Sequence, residues 1–177
     1  MRCLLLCIAL ILYPALMSAE NAFSPTEPGI TEVKTLPAGV LLKATGQGSY
    51  FEESNRLFRP LFRYISSRDI AMTTPVETTI ANAAMFFWVA PSEVAKVNGD
   101  ADGVEVIRVA ERSVASRGGR GSYSQSNFEQ TRDKLLAWLQ TQPEIVAAGE
   151  AYAVYWNSPF TPWFIKRYEV HVPVQRK

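Results

Sequence analysis

Few residues in this chain are equipped for chemistry, and they fall into three groups. Arg56, Arg59 and Arg63 recur at i, i+3 and i+7, the spacing that lines side chains along one stripe of a helix. Such a stripe reads either as a solvated face or as a carboxylate-binding rim, because guanidinium forks pair well with carboxylates. The second group is Ser158-Pro159-Phe160-Thr161-Pro162-Trp163-Phe164. Its prolines and aromatics form either a rigid apolar lip for a flat ligand or a loop that folds its rings into the core. The third is the single histidine, His171, in Tyr168-Glu169-Val170-His171-Val172-Pro173-Val174. Alternation puts the valines on one strand face and Glu169 with His171 on the other. That reads as a half-exposed strand histidine near Glu169, or as an axial ligand of iron.

Composition removes most catalytic classes. One histidine cannot build a multi-His or His–Cys metal cluster, and a Ser-His-Asp arrangement would have to use His171. Both cysteines, Cys3 and Cys7, fall in an N-terminal segment that reads as a leader. A mature chain without them has no thiolate for catalysis and no Cys ligand for zinc or haem. A repeated Gly-x-Gly lacks the third glycine and the acidic residue of a dinucleotide fingerprint. The acidic residues are scattered, so no paired-carboxylate site can be argued. The sequence therefore favours a binding protein over an enzyme. A formal net charge of +1 offers no broad basic field for nucleic acid.

The elements that would position these groups come from an internal repeat. Gly46-Gln47-Gly48-Ser49-Tyr50 returns 73 residues later as Gly119-Arg120-Gly121-Ser122-Tyr123. Each copy follows a β-type stretch and precedes a helical pattern. The glycines suit a sharp turn at positive φ. Ser49 with Glu52, and Ser122 with Gln125, have capping-box spacing. Phe51, Phe58, Leu61, Phe62 and Ile65 then recur at helical spacing, as do Phe128, Leu135, Trp138 and Leu139. Pro60 should kink or split the first helix. Upstream, Val33–Val40 corresponds to Val106–Ser113; downstream, each half has two more β-rich runs. The pattern predicts an α+β fold: a distorted, mostly antiparallel eight-stranded β-barrel of two strand-strand-helix-strand-strand pseudo-repeats, flanked by two main helices. The connector Pro91–Gly103 has room for one short helical turn.

Met1-Arg2 and the apolar run Cys3–Leu16, followed by Ser18-Ala19, read as a secretory signal peptide over 1–19, with cleavage as late as Ala22. The run is short for a membrane span and is interrupted by Pro14. The mature protein is thus expected to have no transmembrane segment. It would be exported, to the periplasm if bacterial and otherwise to a secreted or luminal space. Residues 20–29, with Pro25 and Pro28, read as a flexible arm. Residues 30–177 form one domain of half-repeats at about 30–90 and 104–177.

Asp69-Ile70-Ala71-Met72-Thr73-Thr74-Pro75-Val76 resembles the Met-Thr-x-Pro-Val signature of the SOUL haem-binding proteins. Ser158–Trp163 with Arg167-Tyr168-Glu169-Val170 resembles that family's C-terminal loop and strand, and Val33–Gly39 its opening strand and turn. The resemblance implies a distorted barrel of two pseudo-repeats and non-catalytic binding of haem or a related tetrapyrrole. It points to Arg56, Arg59 and Arg63 as propionate partners and to Phe160, Pro162 and Trp163 as ring contacts. It supplies no axial ligand, so His171 stands only as a candidate. The alternative is an extracytoplasmic small-molecule-sensing or protein-interaction module on the same fold, without physiological haem.

Overall fold

A computed structural model describes residues 20–177; the expected signal peptide, residues 1–19, lies outside the described residues. In chain order the elements are β1 (Thr31–Leu36), β2 (Gly39–Thr45), α1 (Tyr50–Ser66), β3 (Val76–Thr79), β4 (Ala84–Val89), a 3-10 turn (Pro91–Lys96), β5 (Glu105–Val109), β6 (Arg112–Arg120), α2 (Gln125–Gln140), β7 (Ile145–Ala147), β8 (Tyr152–Tyr155) and β9 (Arg167–Arg176). The strands run β1-β6-β9-β8-β3-β4-β2-β5, all pairs antiparallel, with β7 added on β9. End strands β1 and β5 do not pair with each other. The sheet is therefore a curled half-barrel with helices, of the α+β class expected.

The pairing is crosswise. β1 lies on β6 and β2 on β5, so Pro37-Ala38 does not close a hairpin between β1 and β2. Exchanging β1 with β5, β2 with β6, β3 with β8 and β4 with β9 returns the same strand order read backwards. In each glycine pair it is the second member, Gly48 or Gly121, that takes positive φ (+89° and +131°). Gly119 serves a different end: a Cβ there would sit 2.4 Å from the Tyr168 ring. It must be glycine to let the Tyr168 ring approach the β6 backbone this closely.

Each strand feeds two layers. Val40, Leu42 and Ala44 of β2, Met85, Phe87 and Val89 of β4, and Tyr168, Val170, Val172 and Val174 of β9 enter the core under the helices. α1 buries Tyr50, Leu57, Leu61, Tyr64 and Ile65, and α2 buries Phe128, Thr131, Leu135 and Leu139. α1 runs unbroken past Pro60. Proline removes one backbone bond, but buried apolar residues hold the helix on both sides of it.

The capping expectation needs correction at both helices. Ser49 occupies the N-cap of α1 without a side-chain capping bond. The cap of α2 is Ser124 rather than Ser122, its Oγ accepting from the Asn127 backbone N–H at 3.3 Å. The chain turns two residues later than the repeat implies.

Residues 20–29, expected as a flexible arm, lie bonded along the body. Ala22 N–H donates to the Thr74 carbonyl at 2.7 Å, and Gly29 N–H to the Gly118 carbonyl at 2.9 Å. Phe23 sets its ring edge-on to Trp88 and Trp156, at 5.8 and 5.4 Å. These residues form a strap over the sheet face that the helices do not cover.

Candidate functional site

α1 presents a built surface. Its buried stripe faces β2 and β4, which leaves Phe58, Arg59, Phe62 and Arg63 toward the outside. Phe58 packs edge-on against Phe87 of β4 at 5.5 Å and stacks on Phe62 at 5.6 Å and 16°. Phe62 stays 50% exposed. Phe58, Arg59, Phe62, Arg63, Ser66 and Ser67 line an open groove of about 620 Å³. Arg59 and Arg63 are exposed and have no hydrogen-bonding or ion-pairing partner among the described residues. An aromatic floor beside two uncommitted guanidinium groups suits a flat apolar molecule that carries carboxylates.

The sequence grouped more residues than the structure brings together. Arg56 donates to Glu53 at 3.2 Å and lines a separate concavity of about 550 Å³ with Glu53, Pro60 and Asp102. Phe160, Pro162 and Trp163 do not line the α1 groove. They lie on the loop between β8 and β9, with Phe160 and Trp163 pointing to solvent. That loop neither folds its rings inward nor meets the arginines.

His171 is wholly buried, and so is Glu169; the expectation of a half-exposed histidine fails because the strap covers this face. The pairing with Glu169 holds. His171 Nε2 lies 2.6 Å from Glu169 Oε2, and Nδ1 lies 3.1 Å from the Tyr152 hydroxyl. Burial pushes the His171 pKa down, and Glu169 only partly offsets it. The ring is therefore neutral at pH 7. Burial alone would raise the Glu169 pKa, but the hydrogen bond from His171 and then the ammonium of Lys34 hold it well below the usual carboxylate range. A carboxylate only accepts, so Nε2 carries the proton and Nδ1 accepts from Tyr152. With both nitrogens engaged, the ring has no position left for iron.

A polar layer that the sequence did not reveal surrounds this pair. Glu169 Oε1 accepts from the Thr26 backbone N–H and from Trp156 Nε1, each at 2.7 Å. Its Oε2 also accepts from Lys34 Nζ at 2.6 Å and Ser116 Oγ at 2.8 Å. Glu77 accepts from Trp88 Nε1 at 2.9 Å and from Arg112 at 2.9 and 3.0 Å. Alternation on β9 was the one available signal, because it put Glu169 and His171 on the face away from the valines. Nothing marked Glu77, Arg112 or the strap as their neighbours. With its carboxylate oxygens met from within the chain, the layer holds the strap and offers no free carboxylate to a solute.

Solved structures share the fold. The C-terminal domain of EcmrR superposes with a TM-score of 0.67 at 12% identity, covering 84% of this chain and 98% of that one. This chain spans 58% of the EcmrR chain in a DNA complex, with a TM-score of 0.66 at 10% identity over 84% of this chain. A hydrolase from Listeria innocua gives 0.58 at 12% identity, covering 85% and 94% of the two chains. SAV2435 bound to tetraphenylphosphonium gives 0.51 at 13% identity, covering 82% and 94%. A direct comparison with curated protein sequences returned no match. The model of the SOUL heme-binding protein family matches residues 22–173, nearly all of the described chain, and the protein belongs to that family.

Proposed function

We propose that this protein binds haem or a related tetrapyrrole without transforming it, and that the macrocycle lies on the α1 groove. The observation that carries the reading is the stacked Phe58–Phe62 surface bordered along one side by Arg59 and Arg63. The aromatic floor suits the ring face, and the arginines suit the propionates. The groove lining holds no histidine, cysteine, tyrosine or methionine. Binding would therefore rest on the porphyrin's face and carboxylates rather than on iron, and metal-free porphyrin should bind about as well as haem. SAV2435 is described bound to an organic cation. The buried carboxylates here, Glu77 and Glu169, already face the chain's own Arg112 and Lys34. The open cationic groove, with an anionic ligand, is the better fit.

The non-catalytic part of the proposal is supported by the closure of the Glu169–His171 pair. Export is proposed on the charge and hydropathy order of residues 1–19, and cell fractionation tests it. Titration with haem and with protoporphyrin, followed at the Soret band, tests the ligand. Saturable binding of both at similar affinity is expected. No saturable change with either would overturn the reading.

A further inference from the structure

The aromatic loop between β8 and β9 contributes nothing to the lining of the groove. Its backbone is firmly tied. Thr161 N–H donates to the Ser158 carbonyl at 3.0 Å, and Ile165 N–H to the Pro162 carbonyl at 3.1 Å. Lys166 Nζ caps the Pro159 carbonyl at 2.9 Å. At the base, Asn157 Oδ1 accepts from Arg167 N–H at 2.6 Å, and Tyr123 OH donates to the Arg167 carbonyl at 3.0 Å. On this fixed frame the rings point outward. Phe160 is 95% exposed, Trp163 67%, Phe164 58% and Ile165 46%.

A single exposed apolar residue needs no explanation, but four on one short projecting loop do. The fold has not hidden them, although its hydrogen bonds fix the loop's shape. A projecting tip offers no concavity for a small ligand. It is suited instead to entering a soft, flat apolar phase. The charges around it select the kind of phase. Residues 157–167 contain no acid and include Lys166 and Arg167. Arg120 of β6 stands opposite Arg167 in register. Glu27 pairs with Arg167 at 2.7 Å, so three cations and one carboxylate leave a net charge of +2 at the loop base. Aromatic side chains over a basic base match the boundary between acyl chains and anionic headgroups.

We infer that this loop docks the protein on an anionic lipid bilayer, with Phe160 and Trp163 entering the interface and Lys166, Arg167 and Arg120 facing the headgroups. The contact is reversible, since so few inserted side chains give only marginal anchoring. It is separate from the α1 groove, and a porphyrin can occupy that groove while the loop is engaged.

The test uses the mature chain without its leader, whose apolar run would itself bind lipid, and vesicles of phosphatidylcholine alone, or of phosphatidylcholine and phosphatidylglycerol at about 3:1, a mixture chosen for its negative surface potential. Co-sedimentation measures partitioning. Brominated acyl chains quench only a tryptophan that reaches the interface. The anionic vesicles should bind the chain at least tenfold better than the neutral ones, and salt should weaken that binding. Quenching should be present in the parent chain and absent in Trp163→Phe. Phe160→Ser with Trp163→Ser should lower partitioning about tenfold while porphyrin titration and thermal unfolding stay unchanged. Bound protein with unquenched Trp163, no partitioning at all, or equal partitioning of the double variant would overturn the inference. So would a concentration-dependent dimer that the double variant abolishes, since that would assign the loop to a second copy of the chain.

Discussion

Glu169 and His171 stand two residues apart on β9, with Oε2 and Nε2 2.6 Å from each other and both side chains shielded from solvent. The fold keeps the imidazole neutral, so its folded pKa lies below the 6.5 of the free side chain. In the unfolded chain the ring takes up a proton as pH falls through that value, while the folded ring does not. Stability is thus lost on acidification below about pH 6.5, at no more than about 1.4 kcal/mol per pH unit for one proton. Glu169, whose folded pKa lies below its ordinary 4.5, adds a loss of the same sign at still lower pH. Urea unfolding at pH 7.5, 6.5 and 5.5 should show a decline in the parent and a flatter profile in His171→Gln. A flat parent profile would contradict the neutral histidine.

Glu169→Gln keeps the shape but removes the charge that Lys34 faces, and it turns one acceptor into a donor among donors. Breaking a buried, hydrogen-bonded ion pair costs about 3–5 kcal/mol. Lys34→Met should cost less, because Lys34 still reaches solvent. Chemical denaturation of both variants checks the order. A loss under about 1 kcal/mol for Glu169→Gln, at the level of one ordinary hydrogen bond, would show that the carboxylate does not organise the layer.

The strap depends on close approach at Gly118. A Cβ there would fall 2.3 Å from the Glu27 carbonyl oxygen and 2.5 Å from that of Thr26. Both are backbone atoms, so the strap itself must move. Gly118→Ala should cost about 1–3 kcal/mol, the usual range for overpacking. It should also shift tryptophan emission to the red as Trp88 and Trp156 lose Phe23. Phe23→Ala should give the same spectral change without the backbone clash. If Gly118→Ala leaves both emission and stability at parent values, the strap is not held as described.

The strap also explains where the sequence stopped being legible. All the strands except the short β7, both helices and the alternation of β9 follow from periodicity, and periodicity reports core burial well. It cannot report what covers the second face of a sheet. That cover is a segment with two prolines, held by the backbone N–H of Thr26, the ring of Phe23 and the space over Gly118, none of which has a period. Glu77 and Arg112 are 35 residues apart, and only the curl of the sheet brings them together. At the site, the arginine stripe was legible as a stripe. Its division was not, because the partner that turns Arg56 away is Glu53, an ordinary helix neighbour.

The two helix starts differ in a way that substitution can read. Ser124 Oγ accepts from Asn127 N–H, so Ser124→Ala should cost about 1 kcal/mol, typical of a lost N-cap. Ser49 makes no such bond, and Ser49→Ala should stay within a few tenths of a kcal/mol of the parent. Thermal unfolding of the pair decides the matter. Equal losses would mean that Ser49 caps α1 in solution as Ser124 caps α2.

The arginines of α1 give the sharpest test of the groove, because they differ in surroundings and not in kind. Arg59 and Arg63 line it without partners, whereas Arg56 is paired with Glu53 beside another concavity. An exposed charge pair contributes about 0.2–1 kcal/mol, so Arg59→Ala and Arg63→Ala should each weaken protoporphyrin binding by up to about fivefold. The double variant should weaken it by more than either alone. Arg56→Ala should leave it unchanged. Protoporphyrin dimethyl ester, which has no free carboxylate, should be indifferent to all three. Added salt should weaken the acid and not the ester. Titration at the Soret band gives each value, and unfolding midpoints show whether the fold is intact. If Arg56→Ala weakens the acid as much as Arg63→Ala does, attraction would be general to the helix surface and the groove would not be the site.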